Sequence, residues 1–286
     1  MRTLRAFLIL GRVSNLPTVW SNCLAGWWLG GQGCPHKLPF LFAGASLIYT
    51  AGMFLNDAFD AGFDREYRKK RPIPSSAIPA RTVWTSGFAL LVLGSALLFL
   101  VASRTGLFGL ILAAMVVLYD AVHKRVSFAP LLMASCRFLL YLVAASSGFN
   151  GVPGLAVWSG LALAAYIVGL SYLARRESIP GRLQNWPLLF LSFPIILAFF
   201  VNDSFHDRAV FDALIVAAIL AVWILRSIRF TLWSPNPQIG RTVSGLLAGI
   251  VWVDWLAVPD VPQYLAVTFV GLFVLALVFQ RFIPAT

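Results

Sequence analysis

Charge is scarce in this sequence. Asp, Glu, Lys and Arg make up 12% of its 286 residues, about half the share of an ordinary soluble domain, whereas 59% are hydrophobic. That balance argues against a soluble fold throughout the chain. The three cysteines (Cys23, Cys34, Cys136) form no CxxC pair and the three histidines are scattered, so neither a thiolate zinc site nor a disulfide framework is suggested. Alternating ten-residue segments are missing too, which argues against a transmembrane barrel. There is no low-complexity linker and no tandem repeat at the residue level.

What the chain does have is oil in long runs. Apolar segments fall at about 13–31, 39–57, 82–103, 105–122, 130–149, 153–173, 186–202, 209–229, 241–257 and 262–281. Each approaches the length needed to cross a bilayer core roughly 30 Å thick. The expected fold is therefore all-α, a polytopic transmembrane bundle of nine to ten spans forming a single domain over residues 1–286. The opening "MRTLRAFLILGRVSN" is basic, but its apolar stretch is short and stops at Arg12, so it reads as an entry to the first span and not as a cleaved signal peptide. Eighteen of the 22 Lys and Arg lie at the N-terminus, in alternate loops and at the C-terminus. By the positive-inside rule those parts are cytoplasmic, and the expected location is a bacterial inner membrane. The net charge of +11 is thus mostly a topology signal.

One stretch resists that explanation: "NDAFDAGFDREYRKKRPIPSS", Asn56 to Ser76. Asn56, Asp60 and Asp64 are four residues apart and Asp57 is seven from Asp64, offsets that set all four on one helical stripe. Carboxylates so close repel one another, and a divalent cation relieves the repulsion. Oxygen ligands with no His or Cys among them suit Mg²⁺, which shares its shell with substrate phosphates. The competing reading is a set of solvated loop charges neutralised by Arg65, Arg68, Lys69, Lys70 and Arg71.

"NDAFDAGFD" resembles the NDxxDxxxD motif of the UbiA-type intramembrane prenyltransferases, and "KKRPIPSSAIP" resembles the RPxPSG segment that follows it there. "LYDAVHKR" is similar to the family's Tyr-to-Lys loop element after the fourth span, and "GRVSNLPTVWSNCLAG" to its first-helix pattern. The "YDxxHK" style is shared with a divergent branch associated with bacterial Ebo-type clusters. The resemblance implies a helical bundle around a central cavity, capped by cytoplasmic loops at about 57–81, 119–130 and 174–186. It further implies Mg²⁺–diphosphate bound at the aspartates, and transfer of a prenyl group from a polyprenyl diphosphate to an acceptor that is often aromatic. On this reading Asn56, Asp57, Asp60 and Asp64 hold metal, while Arg71, Lys124 and Arg137 meet the diphosphate.

The resemblance breaks after span 6, where the family's second aspartate-rich motif is replaced by "YLARRESIPGRLQNW". Glu177 is the lone acid there, among Arg175, Arg176 and Arg182. Either Glu177 holds one metal while the arginines neutralise diphosphate directly, or the second metal site is lost. Arg137, inside a span, carries an insertion cost of at least about 2.5 kcal/mol and so is expected to face a polar cavity or pair with a carboxylate. Asn15 is a candidate for the pocket or for a helix-packing hydrogen bond. Tyr119 and Tyr172 could offer ring faces to a carbocation or simply pack. "GWWLG" and "GLLAG" fit close helix contacts. Asp254 is expected on the opposite aqueous side. Two other function classes remain open: a non-catalytic prenyl-lipid binding protein, and a lipid transporter, which would need ionisable groups near mid-membrane in several helices. A CDP-alcohol phosphotransferase is disfavoured, because its longer signature is missing.

Overall fold

A computed structural model describes residues 2–69, 71–175, 186–201, 207–233 and 236–285. They form α1 (Arg2–Leu10), α2 (Leu16–Leu29), α3 (Leu38–Phe59), α4 (Ala61–Tyr67), α5 (Ala80–Val101) and α6 (Ser103–Val122). The second half holds α7 (Ala129–Ser146), α8 (Gly154–Arg175), α9 (Trp186–Val201), α10 (Asp207–Leu232), α11 (Ile239–Leu256) and α12 (Gln263–Phe282). No strand occurs among the described residues.

Every apolar segment read from the sequence coincides with one of these helices. Eight helices are long and apolar enough to cross a membrane. The expectation of nine to ten spans differs by α2 and α9, which are shorter, at 14 and 16 residues. α2 is short for a reason visible in its packing. It lies inside the bundle against α3, α7, α8, α11 and α12, and most of its residues are buried. Its surroundings are protein, so the polar Thr18, Ser21 and Asn22 are tolerated there. Leu93, Leu100, Leu107, Ile111, Val267 and Val274 do the opposite, standing exposed on α5, α6 and α12. In water such a surface would be untenable; in lipid it is the expected exterior. The protein is an integral membrane protein.

Small residues set the closest helix contacts. At Gly26 a Cβ would come within 2.7 Å of Ala144 Cβ and 2.8 Å of Tyr141 O, so α2 and α7 approach backbone to backbone. In the second pair, a Cβ on Gly249 would lie 2.7 Å from the Tyr166 hydroxyl. Both GxxxG pairs therefore serve packing.

Candidate active site

α3 ends at Phe59 and α4 begins at Ala61, yet the helical ladder scarcely breaks. The Asp60 amide bonds the Asn56 carbonyl at 3.0 Å, Asp64 bonds Asp60 at 2.9 Å, and Arg68 bonds Asp64 at 2.8 Å. The i, i+4 stripe read from the sequence therefore survives the junction. It points inward: Asp57, Asp60 and Asp64 are 6%, 5% and 1% exposed.

Each of these carboxylates meets a cation. Arg71 Nη1 bonds Asp57 at 2.8 Å and Asp64 at 3.1 Å, and Arg12 lies 3.7 Å from Asp57. Asp60 takes Lys124 Nζ at 2.8 Å and His123 Nε2 at 3.3 Å. Burial alone would lift the Asp60 carboxyl, but the hydrogen bonds from His123 and Lys124 prevail and hold it below its ordinary value. Burial would likewise lower His123, and Asp60 outweighs it, keeping the imidazole above its ordinary value. Lys124 also sits 3.8 Å over the Phe63 ring. Among the ion pairs of the described residues, Arg71 comes from the loop cations of the competing reading, while Arg12 arrives from α1's end and His123 and Lys124 from the turn after α6.

The loop from Arg71 to Pro79 is pinned by its own sequence. Ile73 and Ile78 of "RPIPSSAIP" bury in a small core with Leu10, Phe54 and Val83. That fixes Arg71 above the acidic face. Between this loop and α1 opens a cavity of 540 Å³, lined by Arg12, Asp57, Tyr67, Lys69, Arg71 and Pro284 among others. Arg12 adopts a left-handed conformation (φ 42°), and the side chain faces this space. Asn15, expected in the pocket, donates to the Ala285 carbonyl at 3.0 Å, so the C-terminal segment closes that flank.

A second polar cluster lies deeper. Arg137 donates to Asn22 Oδ1 at 2.7 Å and to Thr18 Oγ1 at 3.1 Å, beneath the Tyr49 ring. Asn22 in turn donates to both oxygens of Asp254, which also accepts from Ser21. The expectation that Asp254 belongs to the opposite aqueous side is therefore wrong: it is fully buried and satisfied inside the bundle. Arg137 does face polar company, but that company is Asn22 and Thr18, away from the acidic stripe.

The remaining candidates divide. Tyr119 stacks on His123 with centroids 5.1 Å apart, close to Asp60's partners. Tyr172 packs edge-on against Trp186 at 4.6 Å. Arg175 donates to the Ser127 carbonyl at 2.6 Å, clasping the turn between α6 and α7. Arg176 and Glu177 lie outside the described residues. Asp120, within "LYDAVHKR", is a site residue that sequence reasoning misses; it is buried, and its Oδ1 accepts from Asn56 Nδ2 at 3.0 Å. Its signal is its place at the end of α6, three and four residues before His123 and Lys124, which both meet Asp60.

The acidic face suits a hard divalent cation. All its donors are oxygens, and Asp64 Oδ1 and Asp120 Oδ2 are buried without a hydrogen-bond partner. No group of three His, Cys, Asp or Glu is gathered at metal-binding distance among the described residues. A Mg²⁺ ion, which binds through one or two carboxylates plus substrate phosphates, does not require one.

Comparison with known proteins bears on this arrangement directly. The family model described as "UbiA prenyltransferase family" matches residues 16–285. The chain belongs to that family. It is 34% identical over 142 residues to a digeranylgeranylglyceryl phosphate synthase of Methanosarcina mazei, a match covering 45% of this chain and 48% of the relative. It is 28% identical over 140 residues to a 4-hydroxybenzoate octaprenyltransferase of Paracidovorax citrulli, covering 47% of each. The chain thus spans about half the length of the curated relatives it matches. A solved structure concerned with digeranylgeranylglyceryl phosphate synthase in membranes aligns with a TM-score of 0.61 at 19% identity, over 96% of this chain and 99% of that one. At that identity the likeness is one of UbiA fold.

Proposed function

We propose that this protein transfers a prenyl group from a polyprenyl diphosphate to a small nucleophilic acceptor, often aromatic in this family, with Mg²⁺ as cofactor. The observation that carries the reading is a buried acidic face ringed by cations from three parts of the chain, beside a cavity lined by Arg12, Lys69 and Arg71. The names of the relatives, synthases and transferases of prenyl groups, support it.

In this mechanism Asn56, Asp57, Asp60 and Asp64 would hold the cation, and Glu177, outside the described residues, would supply a further oxygen ligand. Bound Mg²⁺ would neutralise negative charge growing on the departing diphosphate. Arg71 and Lys124 exchange their carboxylate partners for diphosphate oxygens, aided by Arg175 and by Arg176, which lies outside the described residues. Fixed cations of this kind act by electrostatic preorganisation. The allylic C–O bond breaks with its electron pair leaving on diphosphate; the acceptor bonds to the freed carbon and loses a proton to water. The bundle's apolar interior keeps water from the allylic centre until then. Tyr119 lies at the rim beside His123. By its distribution of Lys and Arg the mouth opens to the cytoplasm, the side of the N-terminus.

The test is purified protein in nanodiscs with Mg²⁺ and radiolabelled prenyl diphosphates of several lengths, with mass spectrometry of products from an extracted lipid pool. Labelled product and released diphosphate are expected. Absence of transfer for every donor, from protein that remains folded, overturns the proposal.

A further inference from the structure

Asp120 joins the acidic stripe through Asn56, and its surroundings differ from those of Asp57, Asp60 and Asp64. Asp57 and Asp64 share Arg71, while Asp60 is held by Lys124 and His123. Asp120, 2% exposed, takes part in none of the ion pairs found among the described residues. One of its oxygens accepts from the Asn56 amide; the other, Oδ2, is enclosed with no partner. A carboxylate ionised in such a place costs several kcal/mol unless a cation joins it.

Asn56 supplies the direction. Its nitrogen is committed to Asp120, which leaves the amide oxygen to accept or to ligate. Outer partners that fix a ligand's orientation in this way are a recurring part of metal sites. α6 therefore brings to the acidic face a group that the α3–α4 stripe does not contain, and among the described residues it is the carboxylate there with no direct ion pair.

We propose that Asp120 belongs to the divalent-cation site: it fixes the Asn56 amide with Oδ1 and offers Oδ2 as a further oxygen ligand for a hard cation. This rests on the metal-assisted reading above, and direct metal binding separates the two. The full chain in nanodiscs is titrated with Mn²⁺ and the free ion read by electron paramagnetic resonance, alongside metal-free thermal unfolding. The wild type is expected to bind. Asp120→Asn, isosteric and uncharged, is expected to bind at least about tenfold more weakly, with a metal-free melting temperature equal to or above the wild type's. Asp260→Asn, at an exposed carboxylate in the loop before α12, controls for net charge and is expected to bind as the wild type does.

Wild-type affinity in Asp120→Asn overturns the proposal, leaving Asp120 a structural partner of Asn56 alone. No Mn²⁺ binding by the wild type overturns both this proposal and the metal-assisted mechanism. Should Asp120→Asn not fold, Asp120→Glu keeps the charge and displaces it by one methylene: weakened binding supports the ligand role and unchanged binding refutes it.

Discussion

Arg137 and Asp254 are joined through Asn22. The amide oxygen accepts from the guanidinium at 2.7 Å, and the amide nitrogen donates to the two carboxylate oxygens at 2.8 and 2.7 Å. The three residues come from α7, α11 and α2, so one neutral amide ties together three helices and two opposite charges. An arginine within a span is thereby compensated without direct contact.

Removing one charge should therefore be worse than removing both. Arg137→Met is expected to destabilise by about 3–5 kcal/mol because it strands a buried carboxylate. Adding Asp254→Leu should recover much of that loss. Denaturant unfolding in detergent, followed through tryptophan fluorescence, measures the double-mutant cycle; additive losses would show that the two charges are not coupled.

Asp60→Ala and Asp64→Ala should lower turnover by about 100-fold or more while leaving insertion and folding intact. Product formation at the wild-type rate in either variant would remove the metal role assigned to it.

Chelation offers a separate check. Stripping divalent ions with EDTA is expected to stop transfer, and Mg²⁺ or Mn²⁺ to restore it. At a hundredfold excess over its dissociation constant the ion should also stabilise the fold by about 2.7 kcal/mol. A thermal scan with and without metal reads this, and transfer that persists in EDTA would speak against the cofactor.

Gly26→Leu tests the packing, since α2 and α7 have no room there. Overpacking costs about 1–3 kcal/mol, and here it should also push α2 off Arg137. The same substitution at Gly271, where a Cβ meets nothing within 4 Å, should be silent in the same unfolding assay.

Much of this was readable in the chain because its signals are local. Apolar run length reports helices directly, and the four-residue spacing of Asn56, Asp60 and Asp64 fixes their common face whatever the tertiary fold. What stayed hidden depends on partners distant in sequence. Asp254 looked solvent-facing because it stands near a helix end; only the approach of Asn22 from α2 makes it an interior group. The bond that Arg175 makes to the Ser127 carbonyl was equally out of reach, since it joins the end of α8 to the turn before α7. Asp120 lacks the repeat spacing that gave its neighbours away, and Asn56 finds it only when α3 and α6 pack.

The hydrogen bond from Asn15 to Ala285 sets an order of events during synthesis. The helix that Asn15 opens is made early, and its partner for this bond is made 270 residues later. A nascent chain arrested within α12 would already carry its acidic stripe, yet one wall of the entrance would stand open, so the mouth matures only after α12 has been made.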